Sequence, residues 1–233
     1  MIKTILWDVD GTLLSFLHAE RAAIRTCFEM FGHGAVSDEE LAKYSAINDA
    51  YWKRLERGEI TKPEVLVGRF LEFFDWRGTP IAREEAEKIN AEYQVRLGDT
   101  ICFNDDSLRL VQQLRGRVGQ YAVTNGTRIA QERKLARSGL GELFDGVFIS
   151  DVIGCEKPGK GFFDYVMAHI PPCAPDEIMI VGDSLTSDIR GGNNAGVLTC
   201  WYNPTGAVND RGEHVDCEIK NLWQIMDLPG VAG

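Results

Sequence analysis

The chain has 233 residues, 44% hydrophobic and 26% charged, which suits one large domain or a domain carrying a sizeable insertion. Its net charge of −10 argues against a nucleic-acid polymer as partner, because phosphate backbones are met by basic surface, while one local site for a small anion stays open. No apolar run approaches the roughly 20 residues that span a bilayer, and Asp8 and Asp10 interrupt the first apolar stretch, so neither a membrane segment nor a signal peptide is expected.

In chain order, Lys3–Val9 is the first segment that reads as a buried strand, rich in β-branched and aromatic residues and closing on Asp and Gly. From Ser15 to Phe103 follow 89 residues without a convincing strand, far beyond one crossover. Ser37-x-x-Glu40 and Thr61-x-x-Glu64 have capping-box form there, so this stretch predicts several helices in a separate small bundle over the end of the sheet. The strand pattern then resumes at Gln120–Thr124, Gly146–Ser150, Glu177–Val181 and Val197–Tyr202. Helical spacing fills the gaps: Leu108, Val111 and Leu114 form one stripe, and Ile129, Leu135 and Leu140 another. "GFFDYVMAHI" and "TSDIRGGNNAG" supply two more crossovers, Thr205–Asp216 reads as a surface loop, and a last helix is expected near Leu222–Met226. Strands alternating with helices predict an α/β fold, a doubly wound parallel sheet covered on both faces. Cys27, Cys102, Cys155, Cys173, Cys200 and Cys217 lie scattered with no C-x-x-C pair, which fits free thiols in a reducing cytoplasm better than a disulfide or zinc framework.

Ligands of open parallel sheets bind beyond the carboxyl ends of the strands, and the residues collected there share one chemistry. The first strand ends at Asp8 and Asp10, the second at Thr124 and Asn125, the third is followed by Lys157 and Pro158, and the fourth by Asp183 and Asp188. Two carboxylates a few ångströms apart repel by a few kcal/mol at an effective dielectric of about 20, so either water or a cation must relieve Asp8 and Asp10. A solvated turn, a strand-ending turn at Thr124–Asn125, a surface lysine at Lys157 and a helix cap at Asp188 are the plainer readings of each residue alone. Together they suit phosphoryl transfer to a carboxylate. A divalent cation bridges nucleophile and phosphate, a hydroxyl and an amide hold phosphoryl oxygens, a lysine offsets charge, and a second carboxylate moves the proton. Gly11 lets the chain turn sharply between the acids.

"DVDGT", "VTNG", "KP" and "GDSLTSD", in that order, resemble the four motifs of the haloacid dehalogenase superfamily. The resemblance implies a Rossmann-like core at residues 1–14 and 104–233, with an inserted α-helical cap at residues 15–103. It implies Asp8 as nucleophile, Asp10 as general acid and base, Thr124 and Asn125 as phosphoryl-binding, and Lys157 as the cation steadying the transfer. Mg²⁺ would sit on the Asp8 carboxylate, the Asp10 main-chain carbonyl and Asp183, with Asp188 in its outer shell. "AINDAYWKRLERGEIT", "GRF" and "SDIRGGNNAGVLTCWYN" are similar to bacterial pyrimidine 5′-nucleotidases, although motif one keeps Gly11 where some of that group carry another residue.

The implied activity is a cytoplasmic, Mg²⁺-dependent phosphomonoesterase whose partner is a small phosphorylated substrate, pyrimidine nucleoside 5′-monophosphates first, sugar phosphates or phosphoglycolate second. In the cap, Trp52 with Tyr51 would stack on a base or pack in the core, and Arg69 would reach substrate or pair with a cap carboxylate. Two other classes use related parts. A phospho-receiver signalling module shares the aspartate, threonine, lysine and Mg²⁺, but the long insertion and Asp10 count against it. A 2-haloacid dehalogenase shares the fold but lacks an acid at the Asp10 position. Oligomeric state has no signature in the sequence.

Overall fold

The computed structural model describes residues 1–231, which divide into two compact units: Met1–Ser15 with the chain from Ile101 onward, and Phe16–Thr100. The first unit holds β1 (Thr4–Trp7), α5 (Ser107–Leu114), β2 (Gly119–Thr124), α6 (Arg128–Ser138), β3 (Gly146–Ile149), α7 (Ser150–Ile153), α8 (Lys160–Ala168), β4 (Ile178–Gly182), α9 (Arg190–Ala195), β5 (Leu198–Tyr202) and β6 (Cys217–Ile219). The second holds α1 (Phe16–Met30), α2 (Asp38–Glu56), α3 (Lys62–Trp76) and α4 (Arg83–Asp99).

All six strands run parallel in the order β3-β2-β1-β4-β5-β6. The strand period of two sends alternate residues of β1 to opposite faces. Ile5 and Trp7 join Val111, Leu114, Leu135 and Leu222 on one side, and Leu6 joins Val123, Phe162, Phe163 and Ile180 on the other. Burial on both faces is why these strands read as continuous apolar runs. Leu13 and Asn104 share a main-chain hydrogen bond of 3.0 Å, and Ser15 and Cys102 one of 2.8 Å, so the chain leaves and re-enters this unit side by side.

The five expected strands are present, most of them slightly shorter. A sixth, β6, pairs Cys200 with Cys217 where no strand was predicted; its three residues are too few to show alternation. The last helix is a 3₁₀ segment, Leu222–Asp227. One predicted stripe needs correction. In α6, Leu135 is buried, as is Leu140 just beyond the helix, but Ile129 is 52% exposed; the covered side of the helix carries Gln131 and Lys134 instead.

In the helical unit, α1 packs on α4 and α2 on α3 around Phe28, Tyr44, Phe70, Phe73, Phe74 and Tyr93. Ser37 and Glu40 form a reciprocal capping box, with Glu40 N donating to Ser37 Oγ and Ser37 N to Glu40 Oε2. At α3 the Glu64 carboxylate accepts from both Thr61 N and Thr61 Oγ1 at 2.7 Å. Arg69 resolves toward a structural role. It is 1% exposed, donates to Asn48 Oδ1 at 2.7 Å and Asn90 Oδ1 at 2.9 Å, and lies over the Tyr93 ring. Asn48 donates in turn to the buried Glu20, so one amide links acid and guanidinium. Tyr51 lies against Gly68, where a Cβ would come within 2.6 Å of its ring, and Trp52 is half-buried on α2.

Candidate active site

β1 delivers Asp8 because its N–H still donates to Val181 O at 2.9 Å, holding it in line with β4. The chain then folds back tightly: Leu14 N donates to Val9 O and Gly11 N to Leu14 O. Gly11 has φ +94°, a left-handed conformation that L side chains avoid, and a Cβ there would fall 2.6 Å from Asp183 Oδ2. Motif one therefore needs glycine both for its turn and for the approach of Asp183.

Lys157 is the centre of the cluster. It is 1% exposed, and its ammonium donates to Asp8 Oδ1 at 2.7 Å, Asp188 Oδ1 at 2.6 Å and Val123 O at 2.8 Å. Burial alone would push its pKa down; the two carboxylates outweigh that and hold it above the usual lysine range, so it stays charged. Asp188 also accepts from Ser184 N at 3.1 Å, at the start of a π-helical turn over Leu185–Ile189. Gly182 leaves room for it, since a Cβ there would lie 2.3 Å from the Asp188 carboxyl carbon.

Asp8 is pushed well above the ordinary carboxylate range, first by burial and then by Asp188 and Asp183, with Lys157 opposing. Its Oδ2 is buried without a hydrogen-bond partner. Asp183 is held by Thr12, whose hydroxyl donates to Asp183 Oδ1 at 3.1 Å and accepts from Asp183 N at 3.0 Å; Trp201 Nε1 donates to Asp183 O. Burial and the Asp188 charge push the Asp183 carboxyl up to about 7.

Oxygens of Asp8, Asp183 and Asp188 lie within 4.8 Å of one another, three carboxylates against one ammonium. An orphaned buried oxygen in an all-oxygen donor set with surplus negative charge is a fit for a hard divalent cation. The Asp10 carboxylate points elsewhere, to Gln131 and Lys134 of α6.

Thr124 Oγ1 accepts from Gly126 N at 3.1 Å, leaving its own proton to donate. The Asn125 side-chain amide is engaged by the Lys157 main chain, Oδ1 accepting from N and Nδ2 donating to O at 2.8 Å each. Its side chain thus fixes the lysine loop. Trp52 belongs to the helical unit. Thr12, Gln131 and Lys134 escaped the sequence reading. Gln131 and Lys134 were visible only as polar residues three apart on a helix starting just past "VTNG".

Residues 2–196 match the haloacid dehalogenase-like hydrolase family. The chain belongs to that family. Among its haloacid dehalogenase-like relatives, the pyrimidine 5′-nucleotidase PynA of Streptococcus pneumoniae is 34% identical, the alignment covering 97% of this chain and 94% of PynA. The pyrimidine 5′-nucleotidase YjjG of Escherichia coli is 30% identical over 96% of each chain. The HAD-hydrolase YfnB of Bacillus subtilis, solved bound to magnesium, superposes with a TM-score of 0.89 at 33% identity over 97% of each chain. Membership in this hydrolase family sets aside the receiver-module alternative. Among the described residues no helix is long and apolar enough to cross a membrane.

Proposed function

We propose that this hydrolase is a Mg²⁺-dependent phosphomonoesterase that works through a phospho-aspartyl intermediate on Asp8, with pyrimidine nucleoside 5′-monophosphates as its preferred substrates. The observation that carries the reading is the convergence of Asp8, Asp183 and Asp188 on the buried Lys157, with Asp8 Oδ2 left unpartnered. Mg²⁺, held by the Asp8 and Asp183 carboxylates and the Asp10 carbonyl with Asp188 behind them, would supply the charge that lets a carboxylate approach a phosphate dianion.

The protein's own groups account for the rest. Asp8 attacks phosphorus through a carboxylate oxygen, the bond from phosphorus to the ester oxygen breaks, and Asp10 gives that oxygen its proton, releasing the alcohol. Asp10, now a carboxylate, takes a proton from water, whose oxygen attacks the phosphorus and returns Asp8 with release of inorganic phosphate. Thr124 donates its free hydroxyl proton to a phosphoryl oxygen, and Lys157 keeps Asp8 oriented and balances Asp188. Phe16–Thr100 serves as the cap, with Trp52 reading the leaving group. The pyrimidine preference is supported by two nearly full-length relatives that carry that activity in their names.

A phosphate-release screen across nucleoside monophosphates, sugar phosphates and phosphoglycolate, with Mg²⁺ and then with a chelator, tests this. UMP, dUMP or TMP should lead and chelation should silence turnover. A sugar-phosphate preference would overturn the substrate assignment, and halide release from a 2-haloacid in the presence of chelator would overturn the reaction.

A further inference from the structure

Asp10 is held from one side of the molecule by two buried groups that the four motifs do not include. Gln131 Nε2 donates to Asp10 Oδ2 at 2.6 Å, and the Lys134 ammonium contacts Oδ1. Gln131 is 0% and Lys134 1% exposed, whereas the Asp10 side chain keeps 20% of its surface open. The chain gives up other satisfaction to make this contact: Gln131 Oε1 is buried with no hydrogen-bond partner. It also needs room that only glycine leaves, since a Cβ on Gly126 would fall 2.1 Å from Gln131 Nε2.

Both grips come from a helix that is itself fixed. Thr127 caps α6 by accepting from Ala130 N, Arg128 N donates to Asp151 Oδ2 at 3.0 Å, and Leu135 anchors the helix in the core. The pair spans one turn of α6, so two points on a rigid rod set the plane of one carboxylate.

We propose that Gln131 and Lys134 are positioning residues for proton transfer, holding the Asp10 carboxylate in the orientation from which it serves the leaving oxygen. This rests on the reading of Asp10 as general acid and base. Orientation matters most where the leaving group most needs a proton: the alkoxide of a nucleoside 5′-monophosphate leaves poorly, while nitrophenolate leaves well without protonation. The expected signature is therefore leaving-group dependence, which a merely structural role does not produce.

The test compares kcat and KM on UMP and on p-nitrophenyl phosphate for wild type, Gln131→Leu, Lys134→Met and Lys134→Arg. For Gln131→Leu and Lys134→Met, kcat/KM on UMP should fall on the order of tenfold or more, part of the 10²–10⁴ that a general acid supplies. On the aryl ester kcat/KM should change little, because it reports only the steps through phosphorylation of Asp8, whereas the phospho-aspartate hydrolysis that both esters share enters kcat. Lys134→Arg should recover part of the loss on UMP. In an Asp10→Asn background the same substitutions should add no further discrimination. Equal losses of kcat/KM on both esters, or a leaving-group effect that persists without Asp10, would overturn the proposal. If Lys134→Met does not fold, Gln131→Leu carries the same comparison. A wild type inactive on both esters would instead sink the phosphatase reading and this inference with it; an active wild type whose variants keep its UMP to aryl-ester ratio sinks the inference alone.

Discussion

Asp8 and Asp10 have the same side chain, and the protein surrounds them differently. Asp8 is buried beside Lys157 with one oxygen unpartnered; Asp10 is partly open and engaged by α6 on both oxygens. Asp8→Asn should abolish phosphate release, because an amide is a poor nucleophile, while Asp10→Asn should slow turnover by about 10²–10⁴-fold; steady-state kinetics on UMP check both. Asp183 adds a pH-dependent effect. Its carboxyl is pushed up to about 7 from an ordinary 3.8, so without metal the folded protein holds this proton more tightly than the unfolded chain does. The resulting penalty is absent below about pH 4, grows across the interval and is complete above about 7. Asp183 keeps a solvent-facing side, and screening trims the effect without changing its sign. Mg²⁺ should therefore raise Tm more at pH 8 than at pH 5, and Asp183→Asn should flatten that difference; a pH-independent Mg²⁺ shift in thermal melts would contradict it.

Among the elements, the helical unit carries an acid and a guanidinium in its interior, linked through Asn48. Removing one partner leaves the other buried and uncompensated, so Arg69→Met should cost about 3–5 kcal/mol in urea unfolding. Ser37→Ala, at a solvated cap, should cost only about 1 kcal/mol. The contrast also marks what the sequence could disclose. The Ser37 box follows from spacing alone, as do β1 to β5, because their burial on both faces leaves an apolar run. Lys157 was legible through its place in the motif series, although its simultaneous grip on Asp8 and Asp188 was not. α6 misled in the opposite direction. An apolar stripe through Ile129 looked like its core face, yet the helix turns Gln131 and Lys134 inward, because satisfying Asp10 outweighs covering one isoleucine. Buried polar contacts between segments more than 100 residues apart leave no local periodicity to read. Thr12 on Asp183 is the same case.

Over the whole molecule, the parallel sheet gathers the carboxylates and lysine in one unit, and the proposed function gives substrate selection to the separate four-helix unit. Substrate choice should therefore respond to the cap without the chemistry following. Trp52→Ala should raise KM for UMP while leaving kcat on p-nitrophenyl phosphate near wild type; a fall in kcat on both esters would return Trp52 to a packing role. The central claim is that Asp8 becomes covalently phosphorylated once a dication offsets the crowded acids. Rapid quenching of a reaction with ³²P-labelled UMP, followed by peptide mapping, measures this directly. The account predicts label on the peptide containing Asp8, stable in acid, labile in base, absent without Mg²⁺ and absent in Asp8→Asn. Full turnover with no labelled protein at any quench time, or label on another residue, would contradict it.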